Sequence, residues 1–182
     1  KQIAIEKEME LASEMQAMLF PNQLPNNSEI EVDAKYLPHH MVGGDYYDYI
    51  PLNDDEFVFC MADVSGKGIP AALLMSNFQA NLHAHVHHIS SLSSLVRLLN
   101  TKVYSSAKGE KFITFFIGRF NIRTKELHYV NAGHNPPFLI HEKVVYMLNE
   151  GSTGLGMFEE LPFVNPGKVF IPDNAQLHCY TD

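Results

Sequence analysis

Three aspartates end or interrupt apolar, strand-like stretches of this 182-residue chain: Asp45 in MVGGDYYDYI, Asp63 in FCMADVSGKGIPAALLM and Asp182 in AQLHCYTD. A lone carboxylate buried in such surroundings is unfavourable unless it is paired, protonated or bound to a cation, so Asp63 requires a partner. Carboxylates at strand ends are held in place by the backbone, and several converging from different strands make a site for a hard cation. Oxygen donors without a surrounding set of cysteines suit magnesium or manganese better than a thiolate-rich zinc site. Gly43 and Gly44 precede Asp45, and Gly66 and Gly68 follow Asp63. These glycines permit the close backbone approach and positive φ that a crowded metal and phosphate site would use. Any one of the aspartates is equally suited to capping a helix or turn. The context they share points to a cation.

The elements that must position these residues follow from periodicity. Residues 2–19 contain strong helix formers, no Gly or Pro, and apolar Ile5, Met9, Ala12, Met15 and Leu19 at helical spacing, which predicts an amphipathic helix. PNQLPNN ends it with two prolines, and residues 20–28 read as a joint. The heptad pattern is short and imperfect, so the helix suits either a coiled-coil dimer stem or packing on the domain. From residue 29 the pattern changes to β-branched and aromatic runs: EIEVDAKYL, EFVFCMADV, KFITFFIGRF, ELHYVNA, PFLI, KVVYML, KVFI and AQLHCYT. Between the second and third of these runs lie two predicted helices, about 70–88 and 91–107. The first opens with Pro70 at the first helical position and carries one apolar stripe, Leu74, Phe78, Leu82 and Val86. Strands, then clustered helices, then strands again predict helices layered on antiparallel sheets.

Composition narrows the partners. With 46% hydrophobic and 19% charged residues the chain suits one main domain with a substantial core. A net charge of -8, without a lysine or arginine cluster, argues against nucleic acid and anionic membrane surfaces as partners. Cys60 and Cys179 lie far apart without CxxC spacing and read as two buried free thiols of a cytoplasmic protein. No window reaches the ~18 to 20 apolar residues of a membrane span. The chain starts without an initiator methionine and stops directly after an apolar run, so it reads as part of a longer protein.

VGGDYYDYI, MADVSGKGIPAALLM, VNAGHNPPFLI, GLG at 154–156 and the terminal YTD together resemble, in order and spacing, the SpoIIE-like branch of the metal-dependent protein phosphatases, within the protein phosphatase 2C superfamily. The resemblance runs from about residue 29 to residue 182. It implies an α/β fold, a four-layer α-β-β-α sandwich of two antiparallel sheets flanked by helices. Residues 1–24 would be a linker or regulatory helix with its Pro-rich joint, and residues 25–182 the phosphatase domain, lacking its C-terminal part. Carried over residue by residue, the resemblance makes Asp45, Asp63, the Val64 carbonyl and Asp182 ligands of two Mn2+ or Mg2+ ions, with Asp63 bridging. Asp45 and Asp63 would then act through a metal-activated water on phosphoserine or phosphothreonine of a protein.

The same resemblance implies an anti-anti-sigma-like regulator of a bacterial partner-switching pathway as substrate, an upstream sensor, and a helix whose rearrangement or dimerisation switches metal affinity. The sequence departs from the family pattern in lacking the glycine after TD and the later paired-aspartate strand that supplies another ligand. It contains no GxSxG elbow and no CxxxxxR loop, in keeping with water rather than a side chain as nucleophile.

Other residues carry weaker signals. His83, His85, His87 and His88 lie on one predicted helix, and His83 with His87 would share a face, but no third ligand is evident, so they read as a polar face. His134 in NAGHNPP is expected to stabilise a turn before Pro136 and Pro137. Lys67 lacks the GxxxxGK spacing of a phosphate loop and reads as an exposed turn lysine; Ser65 beside it is assigned no catalytic role. Two rivals stand against the phosphatase. A catalytically silent phosphatase-like module would bind a phosphoprotein without turnover, and a two-metal phosphodiesterase would act on nucleotides or nucleic acid.

Overall fold

Alternation of side chains along MVGGDYYDYI builds the first strand, β1 (Asp45–Pro51), in which Tyr46, Asp48 and Ile50 face inward. The structure, a computed structural model, describes residues 2–38 and 41–182. β1 pairs antiparallel with β2 (Glu56–Val64), β2 with β3 (Ile113–Asn121), and β3 with β4 (Glu126–Ala132). The other edge of β4 is taken by β8 (Gly167–Phe170), antiparallel, and by β7 (Gly151–Ser152), the one parallel pairing between these strands, completing a six-stranded sheet. A second, three-stranded antiparallel sheet has the order β6-β5-β9, formed by β5 (Phe138–His141), β6 (Val144–Met147) and β9 (Gln176–His178).

Two apolar interfaces hold these layers together. On one face of the larger sheet, Val58, Cys60, Ala62, Val64, Phe115, Ile117 and Val130 pack against helices α2 (Gly68–His85) and α3 (Leu92–Ala107). The stripe Leu74, Phe78, Leu82 and Val86 is buried there as its spacing predicts. On the other face, Phe59, Phe116, Phe120, Leu127 and Tyr129 meet Leu148, Val169 and Leu177, and this cluster fills the space between the two sheets. The expected sandwich of two sheets and flanking helices is thus present, with the described layers running helix, sheet, sheet. All four residues of β6 are exposed.

Helix α1 (Gln2–Ala17) precedes the sandwich and leaves Ile3, Ile5, Leu11 and Met15 exposed. The chain beyond it folds back through Leu19 and Phe20 onto the helix-side core, with the Phe20 ring 4.7 Å from Tyr36 and 5.1 Å from Tyr47. No described helix is long and apolar enough to cross a membrane. Cys60 is a buried free thiol and Cys179 a partly buried one.

The sequence expectations need correction in two places. Residues 29–37 are not a strand. Asn27 Oδ1 accepts from the amides of Glu29 and Ile30, at 2.9 and 3.0 Å, closing an Asx turn that competes with extended pairing. Beyond it only Glu31 bridges, to Asn26, and no neighbouring strand offers a ladder. Pro70 is the third helical residue of α2, since the helix opens at Gly68 after Lys67. Its missing N–H still falls within the first turn, where amides lack intrahelical partners.

Phe115 is fully buried and meets Phe78 edge-on, with ring centroids 4.9 Å apart. Phe115→Ala is expected to destabilise the domain by about 3–5 kcal/mol, read as a lowered urea midpoint at unchanged m-value.

Candidate metal centre

The β1–β2 ladder ends on Asp45 directly opposite Asp63. Paired residues of an antiparallel ladder point to the same face, so both carboxylates leave the sheet on one side. That side is opposite to Ala62 and Val64, which enter the helix-facing core. It is the face of Phe59, which packs toward the smaller sheet, so the pair sits at the rim of the inter-sheet space. The smaller sheet brings the third carboxylate, because Asp182 lies four residues beyond the end of β9.

These carboxylates sense one another. Burial, then the neighbouring Asp45 and Asp182 charges, pushes the Asp63 carboxyl above its ordinary range. Asp45 is raised by burial and by Asp182, with the Thr181 hydroxyl offsetting part of the effect. Half-buried like charges in proximity favour a proton or a cation between them. The structure therefore brings together all three aspartates singled out in the sequence.

Close backbone approach at this end depends on Gly44. A Cβ there would lie 2.9 Å from Val64 Cβ and 3.1 Å from the Val64 carbonyl oxygen. Any side chain would therefore displace the carbonyl expected to complete the ligand set. Gly66 and Gly68, with φ of 93° and 69°, turn the chain from β2 into α2. Within that turn the Ser65 hydroxyl accepts from the Phe112 amide at 2.9 Å, while the Ser65 amide donates to the Phe112 carbonyl at 2.8 Å. Ser65 thus ties the β2 end to the approach to β3, a structural role. Lys67 is the N-cap residue of α2 and makes no side-chain cap bond.

Several neighbours of the site were not evident in the sequence. Gln16, buried at the end of α1, donates to the Gly43 carbonyl at 2.8 Å and accepts from the Gly43 amide at 3.0 Å. Its carboxamide serves as a strand partner for the backbone two residues before Asp45. The Tyr36 hydroxyl is buried without a hydrogen-bond partner among the described residues, and burial and the Asp45 charge raise its proton affinity.

On the opposite face of β1, buried Asp48 accepts from the Tyr46 hydroxyl and from the Tyr49 amide, and meets His83 Nε2 at 2.5 Å. His83 therefore pairs with a carboxylate rather than with His87, and the four-histidine segment forms no metal group among the described residues. Of these partners, only the inward position of Asp48 in an alternating strand could have been flagged in advance.

His134 is buried, and burial lowers its proton affinity. Asn131 holds the surrounding turn: its Oδ1 accepts from the His134 amide at 2.8 Å, and its Nδ2 donates to the carbonyls of His134 and Leu148, both at 3.1 Å. Asn135 Nδ2 donates to Asp182 Oδ1 at 2.9 Å.

The donor set fits a hard divalent cation. It offers three carboxylates, a glycine-cleared carbonyl and an unpartnered phenol beside Asp45. Among the described residues no three His, Cys, Asp or Glu side chains are closed on a common point.

Residues 53–182 match the family described as Stage II sporulation protein E (SpoIIE). The chain belongs to the SpoIIE family. Among its relatives, phosphoserine phosphatase RsbU of Bacillus subtilis (strain 168) is 30% identical over 162 residues, which are 87% of this chain and 48% of RsbU. The chain spans less than half the length of the curated relatives it matches. The SiaA-PP2C domain of Pseudomonas aeruginosa superposes with a TM-score of 0.79 at 16% identity, over 97% of this chain and 71% of that one. RsbX in complex with magnesium gives 0.61 at 14% identity, over 75% and 64%. The match to the SiaA-PP2C domain gives this SpoIIE-family chain a protein phosphatase 2C fold.

Two predictions follow from the geometry. In the metal-free protein Asp45 and Asp63 have raised folded-state proton affinities, so their ionisation opposes folding. Stability is expected to fall as pH rises through the range between their ordinary and raised values. Asp63→Asn should therefore melt above the metal-free wild type at neutral pH, with the gap closing in acid. Manganese at a hundredfold excess over its Kd should stabilise the wild type by about 2.7 kcal/mol and leave this variant unmoved. Gln16→Ala removes both bonds to Gly43, so it is expected to weaken manganese binding by calorimetry while lowering the melting temperature only slightly.

Proposed function

We propose that this chain is the catalytic part of a metal-dependent protein phosphatase that hydrolyses phosphoserine, or phosphothreonine, on a protein. The observation that carries the reading is the proximity of Asp45, Asp63 and Asp182 at one rim of a SpoIIE-family sandwich, where burial, and then the neighbouring carboxylates, raise the proton affinities of Asp45 and Asp63. The resemblance to RsbU, itself named a phosphoserine phosphatase, supports the same activity.

In this reading Asp45, Asp63, the Val64 carbonyl and Asp182 would be the residues that hold two Mn2+ or Mg2+ ions. When bound, the ions supply Lewis acidity for in-line attack of water and neutralise charge on the phosphoryl oxygens. The chain's own residues do the positioning. The β1–β2 ladder fixes two carboxylates against each other, Gly44 keeps space beside the Val64 carbonyl, and Asn135 orients Asp182. No serine or cysteine nucleophile is required, and Ser65 is engaged with the Phe112 amide.

The substrate class proposed is an anti-anti-sigma-like regulator of a partner-switching pathway, acted on in the cytoplasm. Residues 1–24 form a linker and residues 25–182 the phosphatase domain. The exposed Ile3, Ile5, Leu11 and Met15 of α1 suit a homodimer through this helix or contact with an upstream sensor, and the Gln16 to Gly43 bonds give either event a path to Asp45.

The decisive experiment is manganese-dependent phosphate release from a phosphoserine protein by the full-length protein and its Asp63→Asn variant. Activity is expected to fall by more than about a hundredfold, beyond the roughly 10- to 100-fold that outer partners of a metal are worth. A metal-loaded full-length protein that turns over none of several phosphoserine proteins would favour a binding module. Preference for a diester would favour the phosphodiesterase.

A further inference from the structure

Strand pairing stops at His178, so ladder hydrogen bonds do not position the last four residues, including Asp182. Side chains from the AGHN turn reach them instead. His134 Nε2 lies 3.0 Å from the Tyr180 carbonyl oxygen, and Asn135 Nδ2 lies 2.9 Å from Asp182 Oδ1. On its other side, His134 Nδ1 lies 2.9 Å from Thr114 Oγ1. Thr114 is the residue of β3 that stands opposite Asp63.

Stabilising the turn does not account for the imidazole. Asn131 already closes the turn through both ends of its carboxamide, using only the main chain of His134. Gly133, at φ of 69°, permits the sharp bend, and a Cβ there would lie 3.0 Å from the Gly154 amide. The His134 ring is thus left to span two separate elements. A carbonyl oxygen can only accept, so Nε2 carries the proton toward Tyr180, and the bare Nδ1 accepts from the Thr114 hydroxyl.

We propose that Thr114, His134 and Asn135 form a clamp that positions Asp182 against Asp45 and Asp63, with Thr114 selecting the imidazole tautomer that can hold the C-terminal segment. These are positioning residues: none is a ligand and none needs to touch substrate. The clamp joins β3 of the larger sheet to the segment that follows the smaller sheet, so the third carboxylate is delivered only when both sheets are in place. It rests on the metal-site reading above and adds how the third carboxylate of that site is held.

The test is manganese affinity by titration calorimetry on the full-length protein, comparing wild type with Thr114→Val, Thr114→Ser, Asn135→Ala and Asp63→Asn. Melting curves in the absence of metal confirm that each variant folds. Thr114→Val and Asn135→Ala are each expected to weaken binding by roughly 10- to 100-fold, the usual effect of losing a partner that orients a ligand. Thr114→Ser, which keeps the hydroxyl, binds as the wild type does. In parallel, nitrogen NMR of the metal-free protein, with the His134 signal assigned by its loss in His134→Gln, should show the Nε2–H tautomer in wild type and a mixture in Thr114→Val. Wild-type affinity in both Thr114→Val and Asn135→Ala, or an Nδ1–H tautomer of His134 in the wild type, overturns the clamp. Unchanged affinity in Asp63→Asn overturns the metal site itself, and the clamp with it, so the two failures are told apart.

Discussion

Two carboxylates held face to face at the end of an antiparallel ladder are the constraint around which the rest of this molecule is arranged. Asp45 and Asp63 close the β1–β2 register, and seven paired residues along that ladder oppose their separation. Their repulsion has no relief from the helix side, where Ala62 and Val64 are packed against α2 and α3. Burial is the main reason both groups hold a proton more tightly than usual, with the Asp45 and Asp182 charges adding to it at Asp63 and the Asp182 charge at Asp45.

The second consequence is that the site belongs to neither sheet alone. The larger sheet supplies Asp45 and Asp63, and the segment beyond the smaller sheet supplies Asp182. The cluster of Phe59, Phe116, Tyr129 and Leu177 packs between the two sheets that carry these residues. Side chains take over where backbone pairing ends, with His134 and Asn135 at the C-terminal segment and Gln16 at Gly43. A small number of side-chain hydrogen bonds at these points holds segments that have no ladder of their own.

Much of this was legible from residue patterns. The β-branched and aromatic runs EFVFCMADV and KFITFFIGRF read as strands, and they are β2 and β3. The stripe from Leu74 to Val86 marked the core face of α2. The aspartates at the ends of strand-like runs were visible as Asp45 and Asp63, which pair across the β1–β2 ladder. Residues 29–37 misled, since alternation alone cannot reveal that Asn27 closes a turn and that no partner strand lies alongside. Gln16, Thr114 and the Asp48 to His83 pair carried no distinguishing signal, because each is defined by what lies against it across 20 or more residues of chain.

The sequence by itself determined the strand and helix periods, the glycine turns and the chemical class of the site, since these depend on residue type and local spacing. Only the tertiary structure decided which face of β1 each aspartate occupies, that Asp48 turns inward to His83 while Asp45 faces Asp63, and how Asp182 is held. Those outcomes depend on register between strands and on packing between sheets. Both are long-range contacts whose free energy exists only once the sandwich has closed.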